Sequence, residues 1–192
     1  MEQERRYVVT PVSLEMRADD GAAPQLKGLI PYDSLSLDLG GFREVLKPGA
    51  FSETIKNDDI VGLFNHESSL ILGRSEAGTL SFQDTDKGLG YTLDLPDTQA
   101  GRDLQVSVKR GDIKGTSFSF WIKDMADEQW VRDGDSTIRN ILRATLGDVS
   151  PVTFPAYPES QVDMRSFKEW ERQLYRQLHL RQRRQRLTEH TT

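Results

Sequence analysis

The chain has 192 residues, 36% hydrophobic and 29% charged, with a net charge of −5, which is enough for one sizeable core and excludes a wholly disordered polymer. It contains no cysteine, which excludes disulfides, thiolate zinc sites and a cysteine nucleophile, and fits a reducing compartment. Apolar runs of only a few residues exclude a transmembrane helix, and the charged start MEQERRYVV lacks the apolar stretch of a secretory signal.

In chain order, residues 7–17 (YVVTPVSLEMR) alternate, with Val8, Val12, Leu14 and Met16 on one parity, and predict a half-buried strand with Pro11 at an edge. A loop over 18–25 and a β segment at 26–32 follow. The stretch 40–51 holds a Pro-Gly turn at 48–49, and Ser52 is the expected N-cap of a short helix with Thr54 and Ile55 inside. An apolar strand at 60–67 (IVGLFNHE) ends in polar residues, and 79–82 with 89–95 form a hairpin. Residues 98–110 predict a helix: Leu104 and Val108 stand four apart, Lys109 and Arg110 suit the C-terminal dipole, and Gly111 is the stop. A strand at 115–123 and two more within 136–154 complete a mixed α+β domain, more β than α and barrel-like.

From Asp163 the character changes. Phe167, Trp170, Leu174 and Leu178 repeat at helical spacing among Arg172, Arg176, Arg181, Arg183, Arg184 and Arg186, the pattern of a basic amphipathic helix. Residues 163–192 carry eight basic against four acidic side chains, so the −5 chain leaves −9 for residues 1–162. An acidic body of that size argues against nucleic acid as a direct partner. The expected division is therefore a catalytic or binding domain over 1–162 and a basic helical tail over 163–192.

Of the three histidines, His179 and His190 fall in the tail and only His66 in the body. One His without Cys does not make a zinc site, since such sites need three or four protein ligands. Magnesium through Asp58 and Asp59 is a weak alternative. Hydroxyl chemistry has more material, because a serine becomes a nucleophile beside an imidazole whose tautomer a carboxylate fixes. The candidates are Ser68, Ser69, Ser117, Ser119 and Ser150. Ser68 and Ser69 adjoin His66 in sequence, which makes mutual approach hard. Ser117 and Ser119 share a strand face opposite Phe118 and Phe120. Spacing alone leaves Ser117 open between nucleophile and solvated strand residue, and His66 between base and strand-end histidine. Arg74 is open between charge stabilisation at the site and a salt bridge.

The stretches GLFNHESSLILGR, RGDIKGTSFSF and LGDVSPVTFPAYPES, in that order and with PGAF at 48–51 upstream, resemble the prohead protease family of tailed bacteriophages, the HK97-type maturation proteases. The resemblance spans about residues 8–162. It implies a fold related to herpesvirus assemblin and a serine endopeptidase with no metal or organic cofactor. It also implies Ser117 as nucleophile, His66 as its base and Asp148 as the residue orienting His66. Relatives often carry Glu at the place of Asp148, Gly at that of Ser119 and Asn at that of Tyr157. Glu67 competes as the orienting carboxylate, but on a strand it points away from its neighbour's face.

The implied function is cleavage of the scaffolding part of the major capsid protein, and of the protease itself, inside the immature capsid in the host cytoplasm. Substrate is expected to lie extended beside the Ser117 strand. The tail would dock on capsid or scaffold subunits or be trimmed by autocleavage. Partners are then the capsid protein and the prohead shell, with self-association into a homo-oligomer open and no membrane. The alternatives are a non-catalytic scaffold of the same fold and an esterase. The latter lacks its usual G-x-S-x-G elbow, which GTSFS is not.

Overall fold

The structure, a computed structural model, describes residues 4–8, 13–15, 24–134 and 136–153, with Arg172 and Arg176 beyond them. The chain divides into two compact units, Met1–Ser160 and Gln161–Thr192. In the second, Arg172 and Arg176 are helical, and the apolar stripe Phe167, Trp170, Leu174 and Leu178 lies outside the described residues.

Among its described residues, twelve strands and two α-helices make the first unit strand-rich α+β. The strands are β1 (Glu4–Val8), β2 (Ser13–Glu15), β3 (Gln25–Pro31), β4 (Arg43–Leu46), β5 (Val61–Phe64), β6 (Glu67–Arg74), β7 (Leu80–Thr85), β8 (Gly88–Asp94), β9 (Gly115–Trp121), β10 (Glu128–Asp133), β11 (Ser136–Ile141) and β12 (Thr145–Val152). The helices are α1 (Thr54–Asn57) and α2 (Gln99–Arg110). They form a five-stranded sheet in the order β1-β9-β12-β5-β6, a three-stranded sheet β10-β11-β4 and a four-stranded sheet β2-β3-β8-β7. Among the described residues the sheets do not close into the barrel that the sequence led us to expect. The ladders stop at open edges, and the sheets meet through side chains instead.

That meeting explains where the core sits. Strand β9 is buried along nearly its whole length, as a central strand covered on both faces must be. Its Phe118 and Phe120 stack at 5.9 Å between ring centres, and Phe51, from the PGAF stretch, meets them edge-on at 6.0 and 6.4 Å. Such offset and edge contacts add to the apolar burial itself. From the four-stranded sheet, Tyr91 crosses over Gly28 to hydrogen-bond Thr116 at 3.0 Å. A methyl at Gly28 would stand 2.4 Å from that ring, so the crossing needs glycine there. Burial pushes the Tyr91 phenol well above its ordinary range.

Helix α2 forms where its end signals place it. Thr98 caps it by accepting from the Gly101 amide at 3.2 Å, and Gly111 ends it in the left-handed region at φ +78°. Leu104 is fully buried and Val108 packs on the same core. Ser52 does not cap α1 as expected: Glu53 holds that position, and the Ser52 hydroxyl donates instead to Asp84 at 2.5 Å. The hairpin expected at 79–95 is β7 and β8. Strands β4, β6 and β10 are additions that the sequence pattern did not reveal, since much of β6 and β10 is exposed and lacks a clean alternation.

Candidate active site

Three neighbouring strands of the five-stranded sheet build the site. Ser117 lies on β9, Asp148 on β12 beside it, and His66 in the turn that leaves β5 on the far side of β12. On β9 the parity is fixed by Phe118 and Phe120, which take the core face and leave Ser117 and Ser119 on the other.

Placing Asp148 on that second face requires an irregularity. Leu146 is opposite Phe120 and buried in the core, yet Asp148, two residues on, is opposite Ser119. A regular strand would point Leu146 and Asp148 the same way. The β-bulge at Gly147 sets two residues against one, so the core keeps Leu146 while Asp148 turns to the hydroxyl face. Val149 then returns to the core, and Ser150 lies opposite Ser117.

His66 is not the last residue of a strand, as its sequence setting suggests. Asn65 and His66 are the two central residues of a tight hairpin between β5 and β6, both in the left-handed region at φ +53° and +58°. This is the dihedral pattern of a type I′ turn, which favours Asn first and Gly second. A histidine in the glycine position is strained backbone, held by its surroundings. Asn65 ties the turn to the end of β12: its amide N–H donates to the Pro151 carbonyl at 3.2 Å, and its Oδ1 accepts from the Thr153 amide at 3.0 Å. The His66 amide donates to Ser150 Oγ at 3.3 Å.

The three side chains form one line. His66 Nδ1 is 2.5 Å from Asp148 Oδ1, and His66 Nε2 is 2.5 Å from Ser117 Oγ. An ionised carboxylate can only accept, so the Asp148 contact puts the imidazole proton on Nδ1 and leaves Nε2 as acceptor for the Ser117 hydroxyl. Asp148 also accepts from Ser150 Oγ at 2.9 Å and from the Ser119 hydroxyl, whose own oxygen accepts from the Asp148 amide at 3.1 Å. Burial pushes the Asp148 carboxyl upward, but the His66 hydrogen bond and charge, with the two serine hydroxyls, outweigh it and hold the carboxyl below its ordinary value.

Of the sequence candidates, then, the structure brings together Ser117, His66 and Asp148, and adds Ser119 and Ser150 as partners of the carboxylate. Ser119, a candidate nucleophile in the sequence, serves here as a hydrogen-bond partner of Asp148. Its signal was present in the shared parity with Ser117. Glu67 stays outside, exposed, accepting from Ser69 Oγ at 3.1 Å. Ser68 is exposed on the same strand. Arg74 sits at the far end of β6 in a salt bridge to Asp59 at 2.5 Å, the second of its two sequence readings. Asp58 accepts from Thr54 Oγ1 at 2.8 Å, and no group of three or more potential metal ligands occurs among the described residues.

The hydroxyl of Ser117 has a second neighbour. Its Oγ is 2.8 Å from the main-chain carbonyl of Arg6 on β1, so one proton faces two acceptors, that carbonyl and His66 Nε2.

Fold and site together describe a strand-rich α+β protein carrying a Ser–His–carboxylate line on a central strand. Residues 12–173 match the model of the caudovirus prohead serine protease family, and the chain belongs to that family. Its fold is similar to that of the bacteriophage T4 capsid assembly protease, with a TM-score of 0.52 and 10% identity over 80% of this chain and 98% of that one. At that identity the likeness is one of fold. No curated protein matches the chain.

Proposed function

We propose that this chain is the serine endopeptidase of prohead maturation, acting through Ser117, His66 and Asp148 in a domain covering about residues 1–162. The observation that carries the reading is the uninterrupted line of two 2.5 Å contacts from carboxylate to imidazole to hydroxyl. In that arrangement His66 Nε2 takes the Ser117 proton as Oγ attacks a peptide carbonyl, and then returns it to the leaving amine. Asp148 keeps the imidazole in the productive tautomer and stabilises the imidazolium while it lasts. The strain at His66 suits this role, because a turn fixed at both ends holds the ring where a relaxed loop would let it swing.

The substrate in this reading is the scaffolding part of the major capsid protein, together with the chain itself, cut inside the immature capsid in the host cytoplasm. Membership of a prohead protease family supports it. Among the described residues no helix is long and apolar enough to cross a membrane. The basic tail over 163–192 remains assigned to docking on the shell or to trimming.

The test is covalent labelling with a small fluorophosphonate followed by peptide mass mapping. Label on Ser117 that vanishes in Ser117→Ala and His66→Ala is the expected result. An unlabelled Ser117 in assembled proheads would overturn the protease reading in favour of a scaffold of the same fold.

A further inference from the structure

Strand β9 has two ladder sides, and both are taken. On one lies β12. On the other lies β1, antiparallel, at the outer edge of the sheet, with Arg6 opposite Phe118 and Tyr7 opposite Ser117. This is the place where an extended substrate was expected beside the serine. The chain's own residues 4–8 fill it and bring the carbonyl of Arg6 to 2.8 Å from the Ser117 hydroxyl. They also precede the family-matched segment, which begins at residue 12.

Beside its ladder to β9, β1 is docked by buried charge. The Arg6 guanidinium grips Glu44 with two bonds, Nε to Oε1 at 2.7 Å and Nη2 to Oε2 at 2.9 Å, and lies 5.2 Å over the Phe120 ring. Arg139 grips Glu4 in the same way, at 2.6 and 2.9 Å, and also meets Glu44 at 3.1 Å and Glu128 at 2.5 Å. All five side chains are between 2% and 6% exposed. Dehydrating five charges is a poor way to make a strand adhere, since apolar residues of similar volume commonly do as well or better. It is an effective way to choose which strand adheres, because a mismatched charge would be left buried and unpaired.

Take β1 away, and Glu44 on β4 faces the place of the Arg6 side chain, while Arg139 on β11 faces that of Glu4. The geometry points to this slot as the peptide-binding site of the protease, with β1 as an internal stand-in for substrate. Glu44 selects a basic side chain on the residue whose carbonyl meets Ser117. Arg139 selects an acidic side chain two residues earlier. The ligand is thus an extended peptide with an acidic residue two positions ahead of a basic one, and it must displace β1 to enter. The inference rests on Ser117 being the nucleophile, but the slot can be tested apart from that.

The first experiment uses the full chain carrying Ser117→Ala, which prevents turnover, and Arg6→Ala, which releases Glu44 from β1. A fluorescent peptide Glu-Arg-Arg-Tyr-Val is titrated in and followed by anisotropy. We expect saturable binding, weakened at least about thirtyfold when the acidic and second basic residues are exchanged. Adding Glu44→Gln should shrink that preference to the part that Arg139 supplies. Equal affinity for both peptides, or none for either, overturns the slot.

A second experiment, independent of how the variant chain folds, uses the unaltered protein and peptidyl diphenyl phosphonates carrying Glu-Ala-Arg or Arg-Ala-Glu. In that reaction a Ser117 Oγ–P bond forms, the P–O bond to one phenoxide breaks, and the serine proton leaves with the phenol. The first reagent should react about thirtyfold faster, and equal rates overturn the proposal. Labelling by the small fluorophosphonate without peptide preference removes the slot alone. Peptide preference in the binding assay with Ser117 inert to that reagent removes the nucleophile and keeps the slot.

Discussion

Ser119 and Asp148 face each other across the β9–β12 ladder and are bonded in both directions: the serine hydroxyl donates to the carboxylate, and the Asp148 amide donates to Ser119 Oγ at 3.1 Å. The carboxylate that orients His66 is therefore itself oriented by the strand that carries Ser117. Removing that hydroxyl in Ser119→Ala should lower the rate of fluorophosphonate labelling about tenfold and raise the Asp148 pKa, since one of the groups holding it down is lost. Labelling rate measured against pH reads both effects, and an unchanged profile would show Ser119 to be filler.

The same contact bears on substitution at Asp148. Asp148→Asn keeps shape but presents an amide to Nδ1, so the imidazole adopts the wrong tautomer, with a loss of about 10⁴ in turnover of a peptide substrate. Asp148→Glu is a different case. Asp148 is 5% exposed and closed in by Ser119 and Ser150, so an added methylene overpacks the site at about 1–3 kcal/mol. Pairing it with Ser119→Gly restores room for the longer acid. A double-mutant cycle in urea should show favourable coupling of about 0.5–3 kcal/mol, and strict additivity would refute the steric account.

Acid should weaken the protein through two buried carboxyls. Both Asp148 and Glu4 have folded pKa values below their ordinary 3.8 and 4.5. For Glu4, burial pushes upward, and the hydrogen bonds and charges of Arg139, then Arg6, more than reverse it. A depressed folded pKa means that the stabilisation is complete above the ordinary value and lost as pH falls through the folded one. Urea midpoints should stay level from neutrality to about pH 5 and decline below about pH 4. Exchange of the residue 4–8 amides should quicken over the same range, and a midpoint that rises on acidification would contradict the charge clamp.

The His66 turn can be probed without touching the imidazole. Asn65→Ala removes the ties to Thr153 and puts an ordinary side chain in the left-handed region, at about 1–2 kcal/mol. Asn65→Gly recovers the backbone part alone. Both variants should lose labelling rate at Ser117, and only the alanine one should lose substantial stability by urea denaturation. Full activity in both would mean that the turn holds His66 without the Asn65 side chain, through the backbone bonds to Pro151 and Ser150 alone.

The features legible in the residues alone are local or carried by family resemblance. Thr98, Gly111 and the Leu104–Val108 spacing define α2 because a helix is made and capped within its own few residues. The alternation in GTSFSFW assigns two faces to β9, and the motifs around His66, Ser117 and Asp148 mark the residues that prove to be in contact. The tertiary structure decided the rest, because the remaining signals depend on distant partners. The bulge at Gly147 appears only when β12 is laid against β9, and the positive φ of His66 only when Asn65 meets Thr153. The barrel-like reading gave way to three open sheets, because strand patterning says which face is buried but not which edge is paired. The strand at residues 4–8 is the clearest case. Its Glu4 and Arg6 look like ordinary surface charges in a polar N-terminus, and become buried only through Glu44, 38 residues from Arg6, and Arg139, 135 from Glu4.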